Sequence, residues 1–169
     1  MVEIVGLTGL RPTPAAVGAV TTPPYDVIKP GSPLESWLRA VPNSLYHVTL
    51  GTDPAATLGR LIDRGILQPD DEPCFYVYEQ KFGDEARTGV LVAARVSDYS
   101  QGEIIRHERT FDDKVRGRLD LTRKTGYFLE PVFVLTRPPS ALSWRRPKRA
   151  PSRSTASLRI SALRRDYME

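Results

Sequence analysis

The sequence predicts an α+β fold: a mixed, mainly antiparallel sheet with a few short helices, then a disordered basic C-terminal tail. Three observations predict it. Two strand-like runs, "PCFYVYEQKF" and "TGVLVAARV", stand side by side and are separated only by "GDEA". Two helix starts are marked by local capping chemistry, Ser32-Pro33-Leu34-Glu35 and Asp53-Pro54. After Thr136 the composition turns abruptly to Arg, Ser, Pro and Ala. The corresponding division is a domain over 1–136 and a tail over 137–169.

Taken in order, Val2 to Leu7 alternates enough for a first strand, and Gly9, Pro12 and Pro14 stop it. "TTPPYDVIKP" is a proline-bounded extended segment with Tyr25, Val27 and Ile28 expected inward. Ser32 at N-cap, Pro33 at N1 and Glu35 at N3 form a capping box, and the helix runs to about Ala40 because Pro42 forbids extension. "SLYHVTL" alternates Tyr46/Val48/Leu50 against Leu45/His47/Thr49 and reads as a half-buried strand, with His47 a satisfied core or edge histidine. Asp53 and Pro54 open a second helix with Leu58, Leu61 and Ile62 on one stripe, and Gly65 closes it at C′. The run "TGVLVAARV" is apolar on both faces, which predicts a central strand. Residues 112 to 124 read as a helix, and "PVFVLT" (131 to 136) as a last short buried strand.

The bulk properties narrow the function classes. A chain of 169 residues has room for one domain with a real core. Its net charge of +4 suggests nucleic acid, but residues 137–169 carry nine Lys/Arg and two Asp/Glu, leaving residues 1–136 with a net charge of −3. Any nucleic-acid contact is therefore expected to be weak and to come from the tail. The lone Cys74 rules out an internal disulfide, and with two histidines in the whole chain no four-ligand zinc site is expected. Cys74 sits in a strand-like run and reads as an inert buried thiol. No run approaches the ~18 apolar residues of a membrane span, and the N-terminus lacks signal-peptide features. The expected location is cytoplasmic, with no membrane partner. Exposed strand edges make self-association a further expectation.

The densest chemistry lies in "GEIIRHERTFDDKVRGRLDLT", residues 102 to 122. Arg106 and Arg109 can neutralise a phosphate, His107 can move a proton and Thr110 can donate to an oxygen. A structural reading competes: Thr110 caps the following helix, Asp112 and Asp113 complement its dipole, Lys114 and Arg118 share one face, and Arg118 pairs with Glu108. Adjacent His107 and Glu108 cannot converge on one metal ion unaided. "PPYDVI" presents Asp26 behind two prolines, either toward a ligand or capping its own backbone. Arg11 either reaches a phosphate or pairs with an acid. "GLTGLRP" has neither a P-loop ending nor dinucleotide-loop spacing, and no serine-hydrolase elbow is present.

Several motifs occur in order: "LRP" (10–12), "PPYDVI" (23–28), "PNSLYHVTL" (42–50), "RGILQPDDEPCFYVYEQKF" (64–82), "RTGVLVAARVSDY" (87–99), "IIRHERTFDDKVRGRL" (104–119) and "EPVFVLT" (130–136). Together they resemble the N-terminal part of a bacterial and archaeal family known as domain of unknown function 1015. The resemblance implies a second region carrying Asp-Gly-His-His-Arg, similar to the nucleotide-binding box of ParB-like and sulfiredoxin-like folds that include free serine kinases. It thus implies a nucleotide-dependent phosphotransferase acting on a small hydroxyl compound, with ATP or ADP and Mg2+ as cofactors of the longer family proteins. The family's His-Glu-x-Thr followed by Lys and Arg maps to His107, Glu108, Thr110, Lys114 and Arg118. On this resemblance the candidate catalytic groups are Asp26, His107 and Glu108, and the candidate ligand-binding groups are Arg11, Thr110, Lys114 and Arg118. The sequence contains no Asp-Gly-His-His-Arg. It therefore reads as a truncated or frameshifted member, inactive alone as a kinase. The alternative is a non-catalytic module that binds a nucleotide or partner and touches nucleic acid through its tail.

Overall fold

Side-chain caps open two of the helices in the computed structural model, which describes residues 2–106 and 109–135. Strands β1 (Ile4–Val5) and β2 (Leu10–Pro12) come first, then helices α1 (Val17–Val20), α2 (Pro33–Ala40), α3 (Tyr46–Thr49) and α4 (Pro54–Asp63), then strands β3 (Leu67–Pro69), β4 (Tyr76–Phe82), β5 (Glu85–Leu91) and β6 (Ala93–Ala94), and last helix α5 (Asp112–Thr125). The class is α+β. The strands form three antiparallel ribbons, β1 with β6, β2 with β3 and β4 with β5.

In α2, Ser32 accepts from the Glu35 N–H at 3.2 Å, and the Glu35 carboxylate reaches back to the Gly31 N–H at 2.6 Å. The capping box is present, with its return arm one residue further out than usual. In α4, Asp53 accepts from the Ala56 N–H at 3.0 Å. The helix ends in a Schellman pattern: Gly65 N–H donates to Ile62 O and Ile66 N–H to Leu61 O, with Gly65 at φ +66. The main core is Leu10, Val20, Leu45, Val48, Leu58, Leu61 and Leu67; a second cluster joins Ile28, Leu38 and Tyr46.

Several sequence expectations are corrected. "SLYHVTL" is not a strand but contains the helical turn α3. The alternation is too short to impose a ladder, and a turn suits the tertiary contacts better. Leu45 N–H donates to Val20 O, Ser44 accepts from the Tyr46 N–H, and both Tyr46 and Val48 become buried. His47 is satisfied, its Nε2 3.0 Å from Val41 O. The run "TGVLVAARV" is not one central strand: it is divided between the end of β5, which pairs only with β4 among the described residues and is nearly all exposed, and β6, which pairs with β1. The hairpin is tighter than "GDEA", because Phe82 pairs with Glu85 across Gly83-Asp84.

Residues 131–135 form no strand and are exposed, Val132 and Leu135 at 76% each, because no ladder takes up their backbone groups. Cys74 is exposed rather than buried. It precedes β4 in an isolated bridge to Leu7, which pairs its backbone and leaves the residue exposed. Val27 also faces outward, since the Tyr25–Val27 3-10 turn rotates it away from Ile28. The proposed tail, and the division at 136, fall outside the described residues. None of the helices among those residues is long and apolar enough to cross a membrane.

Candidate functional site

Two cationic side chains of α5 converge on one tyrosine. Helix α5 starts at Phe111 as N-cap, with no side-chain capping bond, and carries Asp112 and Asp113 in its first turn. Thr110 is therefore not the cap; it is exposed beside the helix start. Along α5, Arg118, Leu121, Thr122 and Thr125 are half-buried at helical spacing, so Arg118 lies on the stripe turned toward the protein. Lys114, one turn earlier, lies on the same side.

The ring they meet belongs to "PPYDVI". Pro23 and Pro24 lead into the 3-10 turn Tyr25–Val27, held by Ile28 N–H donating to Tyr25 O and by the burial of Ile28. The Arg118 guanidinium carbon lies 3.8 Å from the Tyr25 ring centroid, and Lys114 Nζ lies 5.4 Å from it. Arg118 Nη2 also lies 2.7 Å from Glu130 Oε2. The expected pairing of Arg118 with Glu108 falls outside the described residues; among those, its carboxylate partner is Glu130.

Glu130 is a residue that the sequence reading missed as a functional group. The chain reaches it by turning at Gly126, which closes α5 with φ +73, and by packing Tyr127 and Leu129 against the main core. Burial pushes the Glu130 carboxyl above its ordinary range; Arg118 pulls it down and the nearby Asp26 pushes it up again. Asp26 itself is exposed. The structure thus brings Asp26, Lys114 and Arg118 into one cluster with Tyr25 and Glu130. The signal for Glu130 was present: an acid immediately before Pro131, a few residues past a glycine that ends a helix carrying Lys and Arg.

The other predicted residues go elsewhere. Arg11 pairs with Asp70, its Nε 2.8 Å from Oδ1 and 3.0 Å from Oδ2. Asp70 also accepts from the Tyr76 hydroxyl, which in turn accepts from the Gly9 N–H at 2.8 Å. That network ties β2 to the start of β4 and accounts for Arg11 structurally. His107 and Glu108 lie outside the described residues. No group of three or more His, Cys, Asp or Glu able to hold a metal ion is present among the described residues.

Chemically, the α5 cluster offers Lys114 with no carboxylate partner among the described residues and a guanidinium that uses one nitrogen on Glu130. Its remaining N–H groups leave donors for an oxyanion. This is an arrangement for gripping a small anion against an aromatic face.

Comparison with known families agrees with the motif series. The family model described as Protein of unknown function (DUF1015) matches residues 4–152. The chain belongs to this family. The matched span continues past Thr136, where the quoted motifs end. No curated protein and no solved structure matches the chain.

Proposed function

We propose that this chain is the anion-binding part of a nucleotide-dependent phosphotransferase acting on a small hydroxyl compound, with Lys114 and Arg118 as its phosphate grip. The observation that carries this reading is the convergence of the two cations on Tyr25, 5.4 and 3.8 Å from its ring centroid. The aromatic face offsets the repulsion between like charges one turn apart and holds them ready without closing off their donors. A phosphate would take Lys114 as a point charge and the free edge of Arg118 as a directional pair. His107 and Thr110, a few residues before α5, supply a proton carrier and a hydroxyl in the same sequence neighbourhood.

A nucleotide fits this donor set through its phosphates alone; when bound it supplies the transferable phosphoryl group. The carboxylates here, Asp26 and Glu130, do not amount to a metal-binding group, so no step is assigned to magnesium. The family resemblance implies that phosphoryl transfer itself belongs to the Asp-Gly-His-His-Arg region, which this sequence lacks. Binding without turnover is the expected behaviour of the chain by itself.

Calorimetric titration of the full chain with ADP, ATP and inorganic phosphate tests this. Binding is expected to weaken with salt and to be lost in the Lys114→Ala, Arg118→Ala double variant. A double variant that binds as the wild type does, or a wild type that binds none of the three, overturns the proposal.

A further inference from the structure

Arg118 already holds an anion, and that anion belongs to the chain. Glu130 Oε2 sits 2.7 Å from Arg118 Nη2 in a single-point contact, with the two side chains 37% and 31% exposed. Gly126 turns the chain back along α5, Tyr127 and Leu129 anchor it on the core, and Pro131 biases Glu130 to an extended backbone. The carboxylate is thus delivered to Arg118 by packing on either side of it.

We propose that Glu130 is an internal competitor for the α5 anion site, occupying Arg118 until an incoming anion that bridges Lys114 and Arg118 displaces it. This rests on the anion-binding reading given above. Glu130 engages one of the two cations, whereas a tetrahedral dianion such as phosphate or sulfate can engage both. The competitor therefore selects against single carboxylates, which gain no more from Arg118 than Glu130 does. A partly exposed pair is weak enough to exchange.

The surrounding charges set a pH dependence. Arg118 from α5 and Asp26 from the 3-10 turn act on Glu130 among the described residues, with Lys114 and Tyr25 in the same cluster. Burial and Asp26 together raise the carboxyl above its ordinary range against the pull of Arg118. Glu130 therefore takes up a proton at milder acidity than a free carboxylate would. The neutral form releases Arg118, so affinity for an anion of fixed charge rises as pH falls.

Inorganic sulfate, doubly charged throughout, is the probe, titrated into the full chain near pH 7 and near pH 5. The Glu130→Gln variant is expected to bind sulfate up to about fivefold more tightly than wild type near neutrality and to lose the rise at lower pH. The Asp26→Asn variant removes the like charge, so its rise moves to lower pH. Arg118→Ala loses binding in every background. Suppose wild type binds sulfate through Arg118, yet Glu130→Gln binds no tighter and the profile is flat. Glu130 is then a structural partner only, and this proposal fails while the anion site stands. Should neither wild type nor Glu130→Gln bind sulfate, the anion-binding reading itself fails. If Glu130→Gln does not fold, the position of the Asp26→Asn profile decides the question.

Discussion

The guanidinium of Arg118 stacks on the ring of Tyr25, 3.8 Å from carbon to centroid, and joins α5 to a proline-led turn near the other end of the sequence. This contact adds to the packing of α5 against α4 in positioning a helix that buries no residue fully. Lys114 adds a second cation to the same ring at 5.4 Å.

It follows that Tyr25 acts through its ring and not its hydroxyl. Tyr25→Phe should keep both stability and anion affinity, since among the described residues no hydrogen bond to the Tyr25 hydroxyl contributes to the cluster. Tyr25→Leu removes the quadrupole and should lower stability by about 1 kcal/mol, the size of a partly exposed cation–π contact. It should also weaken phosphate binding, because Arg118 loses its backing. Urea denaturation and calorimetry on the two variants check this. Equal losses in Phe and Leu would assign the effect to the hydroxyl.

The buried polar network around Tyr76 gives a second expectation. Its hydroxyl receives the Gly9 N–H, and a Cβ on residue 9 would stand 2.5 Å from that oxygen, so the approach requires glycine there. Tyr76→Phe leaves a buried backbone N–H without its acceptor and should cost about 1–3 kcal/mol. Burial first, and then the bond to Asp70, raise the Tyr76 hydroxyl well above its usual range. The folded pKa is the higher one, so this stability is present below the ordinary tyrosine value of about 10 and fades as pH rises above it. Denaturation midpoints measured on either side of that value should fall in wild type and fall less in Tyr76→Phe.

What the sequence made legible was local. Ser32, Asp53 and Gly65 act within a few residues of themselves through backbone hydrogen bonds, and each took its expected place. The α+β class and the β4–β5 hairpin likewise rest on short-range pattern. The misread elements depend on distant partners. "SLYHVTL" became a turn because Val20 and the α4 leucines receive its apolar side chains, and no period within seven residues encodes that. The run "TGVLVAARV" has the composition of a central strand, yet it divides between β5 and β6, each with one strand partner among the described residues. The candidate site shows the same division. Lys114 and Arg118 sharing a face was readable from their spacing. Their meeting with Tyr25 and Glu130 was not, because it depends on the Ile28 anchor and on the return of the chain after Gly126.

Acid should act on this protein through two carboxylates shifted in opposite directions, which makes the Glu35 contribution separable. Glu35 Oε1 accepts from the Tyr46 hydroxyl at 2.7 Å and from Arg39 Nη2 at 2.9 Å, while Oε2 accepts from the Gly31 N–H at 2.6 Å. Led by the Tyr46 bond, these hold its carboxyl down to about 2, against an ordinary 4.5. The folded pKa is the lower one, so the stabilisation is complete above the ordinary value and disappears as pH falls toward about 2. Glu130 is shifted the other way: its charge is a cost in the folded state, and protonating it adds stability at mildly acid pH. Wild type should therefore hold or gain stability on mild acidification and lose it on stronger acidification. Glu35→Gln should be less stable than wild type near neutrality, with the difference closing as pH approaches the depressed value. Denaturant midpoints for both proteins across that range check it. A Glu35→Gln deficit that stays constant down to the lowest pH would mean that the carboxylate's shape, and not its charge, holds α2 to Tyr46.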